Sequence, residues 1–431
     1  MKDFQAGVGL SRDWDPKKAG EEVAVTTLEK LDKNPKFFLL FSTIHYAKEK
    51  NGMQKFVEAA YDQLPKGTPM IGGTVCGFMN PYGCYARGAT GLAVYSKDMD
   101  VAVGIGHNTK RNPKKAAIEC AEMIKKGLKY SRFPNKLVLP FISGPIMPKF
   151  PIIGSKNMVS SSIFGELLTQ LLRISYLMET GVSREEEILG ELDNIVKDAY
   201  LIGGALMDDA RYFSNYQFCD NKQITNSLVV LSIATNIKFH LESSHGLHPT
   251  GLRFKITKCK YGGKVLSKLD DIPATDRFFD SLGWPLAENK GVSEIEELHR
   301  RLYYYPLGFK KDNEYYPLSI GAILGKNMLV GYSIETSDIE VLTASGADLL
   351  NAVDSILDKV ISDNLLACFL VSCAIRLNTL GEKIYTIHKK LVNVFGETPF
   401  LLIYVAGEST HKPNETMHHC NMTFNALTFN R

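Results

Sequence analysis

One pattern occurs three times along the chain, and it constrains the fold more than any other feature of the sequence. Each occurrence has an apolar run, an amphipathic helical segment, a second apolar run and a turn of small residues. The first apolar runs end at Thr43, Ser143 and Ser372, and the small-residue turns that close the three occurrences are Gly72-Gly73, Gly203-Gly204 and Gly407-Glu408. A strand–helix–strand connection of this length favours parallel strands joined by a right-handed crossover. Further strand-like runs follow the small-residue turns and can pair antiparallel, which predicts mixed sheets.

The predicted fold class is therefore α/β, with α+β as the alternative. We expect two domains of mixed β-sheets covered by helices and built from three degenerate strand–helix–strand units. Residues 270–305 are rich in charged and turn-forming residues and interrupt the pattern. This break predicts a first domain over residues 1–302, with two units, and a second over residues 303–431, with the third. The proline-rich stretch 143–154 is predicted as a loop inside the first domain.

Composition excludes several classes of protein. The 431 residues are 45% hydrophobic and 23% charged, which is typical of a globular chain with a sizeable core. Because 50 Lys and Arg balance 47 Asp and Glu along the chain, we expect no nucleic-acid partner and no attraction to a membrane. The apolar runs are shorter than the ~20 residues of a membrane helix. Eight scattered cysteines and the absence of a signal-peptide pattern predict a cytoplasmic protein with reduced thiols.

Glycine pairs follow two of the predicted strands. Gly72-Gly73 and Gly203-Gly204 come directly after apolar runs, where a missing Cβ lets another group approach the backbone. Ligands of open α/β sheets gather at the carboxyl ends of strands, so these turns can line a pocket. They can equally be tight turns or crossings of packed strands. Both interpretations stay open at the level of the sequence.

The third unit ends in side chains that can bind a ligand or take part in catalysis. Ser372, Cys373 and Arg376 follow one strand, and Glu408 follows the next. Arg376 can clamp a ligand carboxylate or lower the pKa of Cys373, which would then be a candidate nucleophile. Acidic residues at strand ends, including Asp208, can accept a ligand ammonium group. The alternatives are a small buried cysteine and acids that cap turns.

Other motifs give weaker indications. The closely spaced His240, His245 and His248 match no structural zinc pattern, so we predict no metal site, although a single haem-ligating histidine is not excluded. Gly104 and Gly106 lie between a strand and a helix, but the third glycine of a dinucleotide loop is missing. The sequence contains neither a P-loop nor the GxSxG motif of a hydrolase nucleophile elbow.

Short motifs in a fixed order along nearly the whole chain add a family resemblance. They are Gly7-Val8-Gly9, Phe41-Ser42, Pro69 to Thr74, Gly77 with Asn80-Pro81 and Gly83, Leu201 to Ala205 with Asp208-Asp209, Gln217-Phe218, His245-Gly246 with Pro249, Asp270 with Pro273-Ala274, Tyr305-Pro306-Leu307, Ser372-Cys373 with Arg376, Gly407-Glu408, and Asn421 with Thr423. Each motif is short, but the ordered set resembles the FIST family, named for F-box and intracellular signal-transduction proteins, with its N-terminal and C-terminal domains.

The resemblance implies a sensory module that binds small ligands such as amino acids. Relatives are coupled to output domains, some are similar to haem-based nitric oxide sensors, and eukaryotic relatives carry an F-box. The two FIST-like parts fill this chain, so we expect signalling through a separate effector protein. No haem-ligand motif can be matched, and we predict no cofactor.

The sequence thus predicts a cytoplasmic small-ligand-binding sensor that is not an enzyme. The alternatives are a cysteine-dependent enzyme using Cys373, a protein-interaction scaffold and a haem-based gas sensor. The predicted ligand-binding residues are Gly72, Gly73, Thr74, Gly203, Gly204, Asp208, Asp209, His245, Ser372, Cys373, Arg376, Gly407, Glu408 and Asn421.

Overall fold

The computed structural model describes residues 3–147, 158–285, 292–311, 313–334, 336–362, 364–415 and 418–431. Most of the loop predicted over residues 143–154 therefore lies outside the described residues. The helices are α1 (Pro16–Leu28), α2 (Gly52–Asp62), α3 (Pro113–Gly127), α4 (Ser162–Leu177), α5 (Glu185–Val196), α6 (Ala274–Ser281), α7 (Val292–Leu302), α8 (Gly346–Val360), α9 (Ile375–Leu380) and α10 (Ile384–Phe395).

The strands outnumber the helices and many of them are short. They are β1 (Phe4–Ser11), β2 (Phe37–Ser42), β3 (Met70–Thr74), β4 (Gly77–Asn80), β5 (Gly83–Tyr85), β6 (Ala89–Ser96), β7 (Met99–His107), β8 (Asn135–Ser143), β9 (Met158–Val159), β10 (Tyr200–Leu206), β11 (Gln217–Cys219), β12 (Lys222–Ile224), β13 (Ser227–Thr235), β14 (Lys238–Ser244), β15 (His248–Lys260), β16 (Val265–Leu269), β17 (Ile272–Pro273), β18 (Leu307–Lys311), β19 (Glu314–Leu318), β20 (Ile320–Leu324), β21 (Asn327–Val330), β22 (Asp338–Thr343), β23 (Leu365–Cys373), β24 (Phe400–Val405), β25 (Glu408–His411), β26 (His418–Cys420) and β27 (Phe424–Asn430).

Three of the sheets share one arrangement. In each, the two strands of a predicted unit pair in parallel: β2 with β3, β8 with β10, and β23 with β24. An antiparallel pair completes each set of four strands, namely β1 and β6, β7 and β13, or β14 and β27. The prediction of an α/β fold with mixed sheets built from three related units is confirmed. The full unit is longer than the sequence pattern, because it includes a strand before and a strand after the predicted segment.

The three sheets interlock in a ring. The hairpin that follows β3, β4–β5, joins the sheet of β24; the hairpin β11–β12 joins the sheet of β3; and the hairpin β25–β26 joins the sheet of β10. Each unit therefore lends two strands to the sheet of another unit. This exchange fixes the three sheets against one another and brings the ends of their central strands together.

Side chains from all three sheets fill the space between them. Phe41, Phe141 and Phe369 lie on the central strands of the three units and contact one another, with ring centroids 5.1 to 6.3 Å apart. All three are at most 1% exposed. Edge-to-face and offset contacts of this kind favour close aromatic packing. The principal core therefore lies inside the ring of sheets, and helices cover the outer faces.

A fourth sheet is inserted into the third unit, between β14 and α8, and one short strand of the second unit, β9, joins its edge. Its strands follow the order β19-β18-β22-β15-β16-β21-β20-β9, with β17 beside β16. The predicted domain boundary at residue 302 falls between α7 and β18, within the segment that forms this sheet. Strands from both sides of residue 302 pair with one another here, and β14 pairs with β27 in the third sheet. The boundary between residues 302 and 303 stays a prediction.

Candidate functional site

The carboxyl ends of the three central strand pairs meet through backbone hydrogen bonds. Met207 N donates to Thr74 O at 3.1 Å, Ala406 N donates to Ala205 O at 2.9 Å, and Cys76 N donates to Tyr404 O at 3.0 Å. The structure therefore brings the three predicted strand ends together. They close on one another's main chain, so the point of convergence is occupied by protein.

The predicted glycines lie in this closed region. A Cβ on Gly72 would lie 1.8 Å from Leu40 O, and one on Gly203 would lie 2.0 Å from Pro140 O. The corresponding positions on Gly73, Gly204 and Gly407 also meet neighbouring atoms at 2.7 Å or less. Thr74 is buried, and its hydroxyl oxygen accepts a hydrogen bond from Tyr216 N. The packing interpretation accounts for these residues, since the space beside each backbone is already filled.

Asp208 and Asp209 organise a turn. One carboxylate oxygen of Asp208 accepts from Arg211 N and Tyr212 N at 2.9 and 2.8 Å, and the other accepts from Phe213 N at 2.7 Å. Asp209 forms an exposed ion pair with Arg211. Both carboxylate oxygens of Asp208 are thus occupied by backbone N–H groups. This arrangement is a turn cap, which the sequence analysis gave as the alternative role for acids at strand ends.

Arg376 is fully buried behind the end of the third unit. Its guanidinium donates to His245 O at 3.2 Å, Met422 O at 3.3 Å and Leu349 O at 2.6 Å. The Nε atom has no hydrogen-bond partner within the described part of the chain. Arg376 thereby ties three separate segments together around the strand end, and most of its donors are used by carbonyl groups.

Glu408 lies beside Arg376 and is also buried, at 1% exposure. One carboxyl oxygen, Oε2, accepts from Thr423 N at 3.0 Å and from Thr423 Oγ1 at 2.8 Å. The other, Oε1, has no partner among the described residues. Burial raises the pKa of Glu408 to about 8, so the carboxyl group is largely protonated at pH 7.

Cys373 contacts this carboxyl group. Burial, and next the charge of Glu408, raise the pKa of the Cys373 thiol well above its ordinary value. Catalytic cysteines need the opposite environment, with partial exposure and a nearby positive charge that stabilises the thiolate. The side chain is 0% exposed. These features favour a small buried thiol over the nucleophile considered from the sequence.

Two further predicted residues support the same strand end. Ser372 is buried, and its hydroxyl group contacts Thr423 O at 3.4 Å. The side-chain oxygen of Asn421 accepts from Ser319 N and Ser319 Oγ at 3.1 and 2.8 Å. Asn421 thus joins the third unit to the inserted sheet. The predicted residues of the third unit form one connected buried cluster; their role in ligand binding stays a prediction.

A cavity of about 480 Å³ lies directly beside this cluster. Its walls come from β14, from β19 of the inserted sheet, and from the hairpin β25–β26. The lining residues are Leu241, Glu242, Ser243, Ser244, His245, Glu314, Tyr315, Tyr316, Pro317, Lys359, Thr410, His411, Lys412, Glu415, Cys420 and Thr423. Thr423 therefore separates the cavity from Glu408. Of the predicted binding residues, His245 lines the cavity itself.

The wall of the cavity carries charges of both signs. Lys412 and Lys359 lie 3.0 and 3.8 Å from the carboxylate of Glu242, and Glu314 and Glu415 are further acids of the lining. Burial lowers the pKa of His245 to about 4, so its ring is neutral at pH 7, and its Nδ1 accepts from Leu247 N. The Nδ1 atom of the buried His411 has no described partner.

Most of this lining could not be found from the sequence. Glu242, Tyr315 and Lys412 come from segments that are far apart in the chain and carry no motif. Only His245 and Thr423 belong to the ordered motifs. The cavity depends on the pairing of β14 with β27 and on the position of the inserted sheet. Both join segments that are distant in the chain, and no local sequence pattern predicts them.

The histidines of the sequence analysis do not gather into a metal site. His240 lies 3.4 Å from Glu242, His248 lies 3.6 Å from Asp348, and His245 faces the cavity. The described residues contain no group of three or more His, Cys, Asp or Glu side chains placed to hold a metal ion. In the same part of the chain, no helix has the length and apolar character needed to cross a bilayer.

Comparison with known families identifies the chain. The model of the FIST N domain matches residues 36–272, which is more than half of the sequence. The chain belongs to the FIST family. This assignment confirms the resemblance. The match begins just before β2, so it covers the first unit without β1 and α1, the second unit, β14 and the start of the inserted sheet.

Individual relatives add little to the FIST assignment. An uncharacterized protein of Methanocaldococcus jannaschii, MJ1623, is 28% identical over 187 residues, which is 42% of this chain and 35% of that protein. The match therefore spans about a third of this relative's length. Two solved structures of cyanuric acid hydrolases are 9% identical. One, from A. caulinodans, aligns over 55% of this chain and 72% of its own with a TM-score of 0.26; the other aligns over 99% of both chains with a TM-score of 0.34.

Proposed function

We propose that this FIST protein is a non-enzymatic sensor that binds a small amino-acid-like metabolite in the cavity beside Glu408. The observation that carries the proposal is the position of that cavity. It is lined by the buried His411, whose Nδ1 atom has no described partner, and by Thr423, which joins it to the cluster of Glu408 and Arg376. Unpartnered polar atoms are costly inside a protein and are commonly retained where they serve a ligand or a neighbouring site.

The charges of the lining suit a molecule with both a carboxylate and an ammonium group. Lys412 and Lys359 can pair with a carboxylate at one side, where they already surround Glu242. Glu314 and Glu415 can accept an ammonium group. The cavity volume of about 480 Å³ is within the range of small-molecule sites.

Binding at this place gives a physical route to signalling. The lining comes both from the third unit, through Ser243 and Thr410, and from the inserted sheet, through Tyr315 and Tyr316. A ligand in contact with both parts changes their relative free energy and so shifts their equilibrium arrangement. The effector that responds is, in this proposal, a separate protein in the cytoplasm.

A thermal-shift screen with the twenty common amino acids and their decarboxylated or deaminated derivatives tests the proposal. A ligand at a hundredfold excess over its Kd stabilises the folded state by ~2.7 kcal/mol, which corresponds to a rise of a few degrees in Tm. We expect at least one zwitterionic compound to do this, and its derivatives lacking one charge to do it less well.

The variant Lys412→Ala and a matched control locate the binding. We expect Lys412→Ala to weaken binding at least tenfold in calorimetry, because it removes a cation from the cavity wall. Lys389→Ala removes an exposed lysine of α10 outside the lining and should leave the affinity unchanged. A screen without any stabilising compound, or equal losses in both variants, would contradict the proposal.

A further inference from the structure

Helix α4 exposes an unusual amount of apolar surface. The described residues contain fifteen exposed large hydrophobic side chains, and five of them lie on this helix or at its carboxyl end. These five are Ile163 at 88%, Leu167 at 48%, Ile174 at 51%, Leu177 at 65% and Met178 at 69% exposure. Contiguous apolar patches of this kind mark interaction sites more often than isolated exposed residues do.

The opposite face of α4 is firmly packed, so the helix has a fixed orientation. Gly165 lies against the backbone of Leu324 and Gly325, where a Cβ would be 2.3 Å from both. Leu168 and Thr169 are buried against the inserted sheet. Glu166, beside the apolar residues, binds Lys260 at 2.6 Å, and its charge is compensated within the chain. The exposed residues therefore form a stable surface feature.

The spacing of the exposed residues has a two-fold symmetry along the helix. Ile163 and Met178 lie equally far from the midpoint between Gln170 and Leu171, and so do Leu167 and Ile174. At about 100° per residue these four side chains fall within roughly 30° of a single line along the helix. A second α4 placed antiparallel against this line brings Ile163 opposite Met178 and Leu167 opposite Ile174.

We propose that α4 is the interface of a symmetric dimer of this chain, formed by antiparallel packing of the two apolar stripes. A two-fold interface uses the same surface on both copies, and the palindromic spacing satisfies this requirement. The five side chains expose on the order of 600 Å² per copy, so pairing buries on the order of 1,200 Å², the lower end of stable interfaces. This inference concerns a different surface from the cavity and does not depend on ligand binding.

Sedimentation velocity of the full chain tests for the dimer. We expect a dimer at micromolar concentration, and at least a tenfold higher dissociation constant for the variant Leu167→Glu. Ile118→Glu introduces the same charge at a similarly exposed position on α3 and should leave the dimer intact. Since both positions are on the surface, circular dichroism should show folded protein for both. A monomeric wild-type chain, or equal loss of dimer in the two variants, would overturn the proposal.

Disulfide cross-linking tests the antiparallel geometry. In a Cys259→Ser background, which removes the exposed native thiol, chains with Leu167→Cys are mixed with chains carrying Ile174→Cys. Antiparallel packing predicts rapid cross-links between the two kinds of chain and slower links within either kind. Preferential linking of Leu167→Cys chains to one another would indicate parallel packing and would overturn the proposed interface.

Discussion

The second and third units both bury ionisable side chains at their strand ends, but the surroundings of the two ends differ. In the second unit, the ammonium group of Lys110 donates to Gly144 O at 2.8 Å and lies 3.4 Å from two further acceptors, Ser143 O and Ser183 Oγ. Buried polar atoms without a described partner occur at both ends: on Glu408 and Arg376 in the third unit, and on Glu185, beside Lys110, in the second. What differs is the space next to them, since a cavity of about 480 Å³ borders the third end. One repeated architecture can therefore form a strand end closed by protein contacts and a strand end beside a cavity.

The largest loss of stability is expected from a substitution at the closed strand end of the second unit. In the variant Gly203→Ala, the added Cβ would lie 2.0 Å from Pro140 O, and the backbone of two paired strands would have to separate. We expect a loss of about 3 kcal/mol in the free energy of unfolding, at the upper end of ordinary overpacking costs. Urea denaturation measures this change.

Gly190→Ala is the matched control for this substitution. Gly190 lies within α5, and a Cβ there would meet no atom of the described residues within 4 Å apart from the helix's own backbone. Since alanine favours helices over glycine by up to about 1 kcal/mol, the control should be neutral or stabilising. If Gly203→Ala were tolerated as well as Gly190→Ala, the closed end would not depend on the close strand contact described above.

A smaller, pH-dependent effect is expected at the third unit. The folded-state pKa of Glu408 is raised to about 8, above its unfolded value, so folding favours the protonated carboxyl group. The resulting stability is present below about pH 4.5 and is lost as the pH rises through 8. Glu408→Gln keeps a neutral side chain at every pH. We therefore expect this variant to gain stability relative to the wild type between pH 6 and pH 9.

Urea denaturation at each pH gives the difference in the free energy of unfolding between the wild type and Glu408→Gln, and this difference isolates the effect of Glu408. The subtraction is needed because burial lowers the pKa of Lys110 to about 7. Above that pH, the contribution of Lys110 to stability rises with pH and so opposes that of Glu408. A difference in stability that does not vary with pH would mean that Glu408 is ionised in the folded protein.

The fold could be predicted from the sequence where the signal is local. The apolar runs predicted β8, β23 and β24, and the helical periodicity predicted α2 and α10, because burial of one face sets these patterns. The exchanged hairpins could not be predicted. β11 and β25 have only three and four residues, and their partners are strands of another unit.

The candidate site could be predicted only in part. Cys373, Arg376 and Glu408 were expected together, since carboxyl ends of parallel strands meet at one edge. The glycines of the first two units were grouped with them because a small residue at a strand end fits both a pocket and a close backbone contact. Only the positions of neighbouring atoms, such as Pro140 O beside Gly203, distinguish the two.

Hydrogen exchange tests whether a ligand binds in the cavity beside the third unit and not at the strand ends of the first two units. Amide exchange is compared with and without a saturating amount of the amino acid that gives the largest thermal shift. We predict slower exchange in peptides covering residues 241–245, 314–317 and 410–412, and unchanged exchange over residues 70–76 and 201–208. Protection at the strand ends of the first two units, with none around the cavity, would contradict this prediction.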